Sequence, residues 1–158
     1  MNIRSLIVRN LILVVLLTVS GLPAAWADSR YVIRGSEVYD SQTKLTWARC
    51  SVGQEWKNEH CVGNVVYYNF DTAQKQAGNG WRVPTKEELV SLINPNLKKF
   101  PVVDTAAFPD MDASHPWYWS STPNGSSIAW YVDFTDGYTS GFIDEANKLA
   151  VRLVRSGP

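Results

Sequence analysis

The sequence is poor in the residues that build metal and redox centres. Of its 158 residues two are cysteine and two are histidine. Cys50 and Cys61 do not have the spacing of a CxxC knuckle, and no second ligand pair follows, which argues against a structural zinc site. An excess of charge of one sign is also lacking, since 15 Lys and Arg stand against 15 Asp and Glu. A surface without a basic stripe does not suit a nucleic-acid backbone, so nucleic acid is not an expected partner. No internal repeat, no collagen-like repeat and no low-complexity linker is present. Ser120, Ser121 and Ser126 stand in no G-x-S-x-G pattern, so no nucleophile elbow is implied.

The one long apolar run is N-terminal. Arg4 and Arg9 precede an apolar stretch from Leu11 to Val19 broken only by Thr18, and Ala25-Trp26-Ala27 supplies a small-x-small cleavage pattern. This is the layout of a signal peptide over residues 1–27. The run is shorter than the roughly 20 residues that cross a bilayer, and no lipobox cysteine lies near the cut. The expectation is therefore a periplasmic or secreted protein whose mature part, residues 28–158, is one domain without a membrane span. Cleavage removes two basic residues and no acidic one, so the mature balance is slightly acidic. In an oxidising compartment Cys50 and Cys61 read as a disulfide. A metal pair completed by His60 is the rival reading.

Element signals divide the domain into three parts. Tyr31 to Arg34, Glu37 to Tyr39 and Thr43 to Arg49 read as strands, with a turn at Asp40-Ser41-Gln42 and a hairpin into the third. Ser51 to His60 reads as a polar loop held by the cysteines. Phe70, Ala73 and Ala77 are spaced for one helix face, with Asp71 as cap and Gly78 or Gly80 as stop. Trp81-Arg82-Val83-Pro84 reads as extended, because proline disfavours the helical region just before it. Thr85-x-x-Glu88 is a capping box opening a second helix, whose expected buried face is Leu89, Val90, Leu92 and Ile93. Asn94-Pro95 stops it. Leu97 to Pro116 reads as a long structured loop, a feature that is often functional in a small domain. Trp117 to Ser120, Ile128 to Phe134, Tyr138 to Ile143 and Leu149 to Val154 read as strands. The second of these, apolar on both faces, should be central, and Asp136-Gly137 should turn the hairpin. The sum is an α+β domain.

Several motifs occur in an order that resembles the Lcl C-terminal domain family. They are Leu45-Thr46-Trp47-Ala48-Arg49-Cys50-Ser51-Val52-Gly53-Gln54, Trp81-Arg82-Val83-Pro84-Thr85-Lys86-Glu87-Glu88-Leu89, Tyr118-Trp119-Ser120-Ser121-Thr122, Ala129-Trp130-Tyr131-Val132-Asp133-Phe134 and Val151-Arg152-Leu153-Val154-Arg155. The family is named for the terminal domain of a collagen-like bacterial adhesin. The resemblance implies a C-type lectin-like fold, with two helices packed on small twisted antiparallel sheets and long loops that carry ligands. In that adhesin the domain is implied to bind sulfated host polysaccharides. Arg82-Val83-Pro84-Thr85 with Glu88 is also similar to formylglycine-generating enzymes, but their catalytic cysteine pair has no counterpart here.

The candidate ligand contacts are Trp117, Tyr118 and Tyr138, whose rings could stack on a sugar face or anchor a protein, with Lys98 and Lys99 as the only adjacent basic pair. Core packing for the aromatics and a solvated face for the lysines are the competing readings. Trp47, Trp81, Trp119 and Trp130 are read as core, and Trp56 falls in the cysteine loop. A calcium-dependent sugar site of the Glu-Pro-Asn or Gln-Pro-Asp kind is absent, and Asn94-Pro95-Asn96 lacks the acid. Asp104, Asp110 and Asp112 could form a structural cation site, although calcium asks for six or more oxygens. His115 lacks a paired nucleophile and reads better as a packing residue than as a base. No metal and no cofactor is expected. The functional expectation is a non-catalytic binding module for a glycan or an envelope or host protein. The alternative is a structural or assembly subunit of a surface structure, either an accessory part of a fibre or a self-assembling homo-oligomer. Exposed candidate aromatics on one face favour the first, and their burial favours the second.

Overall fold

A computed structural model describes residues 29–158. The signal-peptide expectation lies outside the described residues. Within them the chain runs β1 (Tyr31–Arg34), β2 (Glu37–Asp40), β3 (Leu45–Ala48), β4 (Glu55–Lys57), β5 (His60–Val62), α1 (Phe70–Gln74), α2 (Lys86–Ser91), β6 (Trp117–Pro123), β7 (Ile128–Asp133), β8 (Thr139–Asp144) and β9 (Val154–Ser156). These strands form a four-stranded sheet in the order β1-β2-β3-β9, the small hairpin β4-β5 and a three-stranded sheet β6-β7-β8. The paired strands are antiparallel throughout. The architecture is α+β, with two short helices set against small sheets. No helix among the described residues is long and apolar enough to cross a membrane.

Local chemistry accounts for the helices. Thr85 accepts from the Glu88 amide at 3.2 Å, and the Glu88 carboxylate accepts from the Thr85 amide at 2.8 Å. The box satisfies two amides that the first helical turn leaves open. Arg82 grips the same carboxylate through both terminal nitrogens, at 2.7 and 2.6 Å. Burial works against charge on Glu88, but these bonds hold its pKa below the usual carboxylate value. The Arg-Val-Pro-Thr run is therefore a structural clamp. In α1 the cap is Asn69, whose side chain accepts from the Thr72 amide at 3.0 Å. The expected cap, Asp71, stands two residues further on, in the first turn, where its charge suits the helix start. Leu89 of α2 and Leu92 at its C-cap are buried and Ile93 packs beside them, but Val90 is exposed. Leu89, Leu92 and Ile93 fall on one face at i, i+3 and i+4, and Val90 is turned about 100° away.

Other expectations shift in their bounds. Ser51 to His60 is not an open loop, because β4 and β5 form a hairpin in it with Trp56 opposite Cys61. Its two-residue turn, Asn58-Glu59, has φ of 49° and 66°. In the stretch from Leu149 to Val154 only Val154 belongs to a strand, and Leu149 and Ala150 make single bridges to Tyr68 and Tyr118.

The core has two parts, one on each face of the β6-β7-β8 sheet. Successive strand residues point to opposite faces. Tyr118, Val132 and Phe134 join Leu89, Leu92, Val38 and Trp47 in one cluster. Trp119 and Ala129 join Phe70, Ala73, Leu149 and Val151 in the other. β7 is the middle strand, as its two apolar faces require.

The long loop between α2 and β6 is part of the first cluster. Val102, Val103, Ala107 and Phe108 are buried, and Phe108 meets Tyr31 and Trp47 edge-on at 5.5 and 6.4 Å. Arg49 ties the loop down, donating to the carbonyls of Ala107 at 3.1 Å, Ala106 at 2.8 Å and, from the other side, Gly35 at 2.8 Å. Burial lowers the pKa of this guanidinium, with Asp110 and Glu59 acting in the other direction. Arg152, only 1% exposed, reaches the carbonyls of Ala48 and Arg49 and the Ser51 hydroxyl. Arg30 spans Asp40, at 3.0 and 2.6 Å, and the Ser91 carbonyl at 2.7 Å, which joins β2 to the end of α2.

Candidate functional site

Cys50 and Cys61 form a disulfide with Cα atoms 5.4 Å apart. Both sulfurs are thereby spent, and the metal pair with His60 is ruled out. His60 is exposed and sits 3.7 Å from Asp110. The Cys61 amide donates to Asp110 at 2.9 Å, so the stapled hairpin is also fastened to the long loop.

The three aspartates of the long loop do not converge. Asp104 accepts from the Ala106 and Ala107 amides at 2.9 and 3.1 Å. Asp110 serves Cys61, and Asp112 accepts from the Ser114 amide and hydroxyl at 2.8 and 2.6 Å and from the Tyr67 hydroxyl. The Ser114 hydroxyl and the Tyr67 hydroxyl lead the contacts that lower the Asp112 pKa to about 2. Each carboxylate fastens its own piece of loop. Among the described residues no three His, Cys, Asp or Glu side chains gather as a metal site would need. His115 is exposed, with its ring edge-on to Tyr67 at 5.5 Å.

The candidate aromatics part company. Tyr118 is fully buried; its hydroxyl is 2.7 Å from the Ser51 hydroxyl and its ring packs edge-on against Phe134 at 5.4 Å. It is a core residue, and its place among the ligand contacts is corrected. Strand alternation is the reason, since Tyr118 points opposite to its neighbour Trp117. Trp117 stands at the open end of β6 and is 39% exposed. Its Nε1 donates to Asp133 Oδ2 at 2.7 Å, across the pair Trp117–Asp133. The indole also lies against Tyr131, with centroids 5.7 Å apart. Burial raises the Tyr131 pKa, and nearby Tyr138, Asp133 and Asp136 raise it further. Tyr138 is 58% exposed. Trp117, Tyr131 and Tyr138 thus gather at one end of the sheet, beside the carboxylates of Asp133 and Asp136.

Two hairpin features give this surface its shape. The Asp136–Gly137 turn carries Tyr138, whose amide donates to Asp136 at 2.8 Å. Gly137 has φ of +86°, a backbone setting that suits glycine. Lys98 lines a cleft of about 370 Å³ with Asp136 and Gly137, and its ammonium donates to the Pro95 carbonyl at 2.9 Å. Lys99 is exposed and does not line that cleft.

Sequence patterns did not single out two further surface aromatics. Phe142 on β8 is 82% exposed. Trp130, expected in the core, is half-buried and carries the Lys86 ammonium over its ring at 4.2 Å. Its ring occupies the space above Gly141, where a Cβ would lie 2.6 Å from Trp130 Cε2. Trp81 is likewise half-buried, whereas Trp47 and Trp119 are fully buried as expected.

The surface has the means for contact: rigid rings, polar edges and a backbone held by a sheet. Comparison with curated proteins gives no match. The family model of the Lcl C-terminal domain matches residues 36–155, which takes in β2 through most of β9 and every residue of the surface just described. The chain belongs to the Lcl C-terminal domain family.

Proposed function

We propose that this chain is an exported, non-catalytic recognition module of C-type lectin-like architecture. It works in the periplasm or outside the cell and holds a glycan or a protein on the Trp117–Tyr131–Tyr138 surface. The observation that carries the reading is the exposed Trp117 indole, whose Nε1 is held by Asp133 and whose ring lies tilted beside Tyr131. A ring already fixed in place loses little freedom when a ligand meets it, and aromatic anchors of this kind dominate many interfaces. Two short helices against small sheets, with a long anchored loop before β6, support the lectin-like reading. The disulfide and the Ala25-Trp26-Ala27 pattern support export. Engagement of Asp110 and Asp112 in loop fastening supports a role without bond-making.

A glycan array and a pull-down from envelope and host-surface extracts test this reading on the folded protein. It expects a ligand whose retention falls in the Trp117→Ala and Tyr138→Ala variants. No ligand in either format, or retention indifferent to both variants, overturns it.

A second reading, a self-assembling structural subunit, draws on β1. This strand is an outer strand of its sheet, and Val32 and Ile33 on it are 42% and 45% exposed. An open apolar edge is a template for pairing with another strand. Light scattering at high concentration decides it. An oligomer that Ile33→Lys dissociates supports assembly, and a monomer removes it.

A further inference from the structure

A second concavity lies away from the Trp117 surface and shares no residue with it. It is a cleft of about 440 Å³ between the disulfide-stapled hairpin and the four-stranded sheet. This size falls in the range of about 300–1,000 Å³ usual for small-ligand sites. Trp56 of the hairpin and Trp81, ahead of α2, both line it. The Arg49 guanidinium lies 4.0 Å from the Trp56 ring centroid and that of Arg155 lies 5.4 Å from the Trp81 centroid. One face of each indole is therefore taken, and each ring is steadied. Val52 and Leu153 add apolar lining, while Glu37, Gln54 and Glu55 supply planar polar groups.

We propose that this cleft binds a short uncharged saccharide. The sugar's C–H face would pack on indole, and its hydroxyls would meet the Glu37 carboxylate and the Gln54 amide. Charge selects the class. Glu37 is paired with Arg155 at 2.7 Å and Glu55 with Lys57 at 2.8 Å. Each lining carboxylate already has its cation, so the cleft calls for no ionic ligand. The pairing also leaves carboxylate oxygens available, since Arg155 holds Glu37 through Oε2 alone. Gln54 uses Oε1 to accept from the Ser51 amide at 3.2 Å, which orients the side-chain amide so that its Nε2 can donate. The site depends on the Cys50–Cys61 bridge, because Trp56 sits between the two cysteines in the chain and opposite Cys61 in the hairpin.

The test is an NMR titration of the folded protein that follows the tryptophan indole N–H signals. The probes are cellotriose, maltotriose, N-acetylated chitotriose and a heparin-derived tetrasaccharide. The inference expects at least one neutral trisaccharide to shift the Trp56 and Trp81 signals saturably, with Kd on the order of 1 mM or tighter. Gln54→Ala should weaken that binding about tenfold, Lys148→Ala, at an exposed position outside both surfaces, should leave it unchanged, and the sulfated probe should not shift these two signals. The inference is overturned if no neutral probe shifts both signals, if Gln54→Ala binds as well as the parent, or if the sulfated probe saturates the same pair. Because this cleft reports on the Trp56 and Trp81 signals and the other surface on the Trp117 signal, failure of this site and failure of the Trp117 surface read out separately.

Discussion

Trp117 and Asp133 face each other across β6 and β7, and the indole N–H of one donates to the carboxylate of the other at 2.7 Å. An exposed hydrogen bond of this kind contributes little to stability, about 1 kcal/mol. Its effect is to fix the ring. Asp133→Ala should therefore lower the unfolding free energy by no more than about 1 kcal/mol, while broadening or shifting the Trp117 indole N–H resonance. Chemical denaturation and NMR on the same sample check both halves.

Arg152 should behave in the opposite way. Its guanidinium is buried against the carbonyls of Ala48 and Arg49, so truncation leaves polar groups without partners in the interior. Arg152→Met should cost about 3 kcal/mol or more, read as a lower urea midpoint with an unchanged slope. Arg152→Lys should recover only part of the loss, since a single ammonium cannot span acceptors on Ala48, Arg49 and Ser51 together.

The disulfide closes a short loop with a sequence separation of 11. The paired substitution Cys50→Ser with Cys61→Ser should destabilise the fold by about 3 kcal/mol in the chain-entropy picture. Hydrogen exchange should rise first in β4 and β5. The hairpin rests on that bridge, on the Asp110 contact and on Arg49 against Trp56.

Acid should unfold the protein through particular carboxylates. Hydrogen bonds from Ser114 and Tyr67 hold the Asp112 pKa at about 2. At Asp40 burial favours the neutral form, but bonds from Arg30, Thr43 and Gln42 outweigh it and the pKa is lowered. A folded-state pKa below the unfolded value, about 3.9 for Asp, stabilises the fold above that value. The contribution is lost as pH falls through the folded pKa. Stability should thus be level above about pH 4 and decline toward pH 2. Asp112→Asn should make that decline shallower, which melting temperatures measured across the range will show.

Much of the fold was legible because it is written in local chemistry. The box from Thr85 to Glu88, the proline at 84 and the Asp136–Gly137 turn each satisfy or constrain their own backbone. The β4-β5 hairpin was missed because its turn is Asn58-Glu59, with positive φ at both residues but no glycine to announce it. The α1 cap was misplaced because Asn69 and Asp71 are both competent caps two residues apart. Site residues were harder to read. Adjacent rings at 117 and 118 look alike in sequence, yet alternation sends one to solvent and one to the core. The cleft between Trp56 and Trp81 depends on chain segments brought together only in the folded domain.

The most direct measurement is the affinity of the recovered ligand for the parent protein and for Trp117→Ala, taken at equal thermal stability, with the ligand analysed afterwards. A loss of about tenfold or more, with the ligand chemically unchanged, is the predicted result. Equal affinity in a variant of unaltered stability, or a ligand returned as a different compound, would contradict a role in recognition through this surface without chemistry.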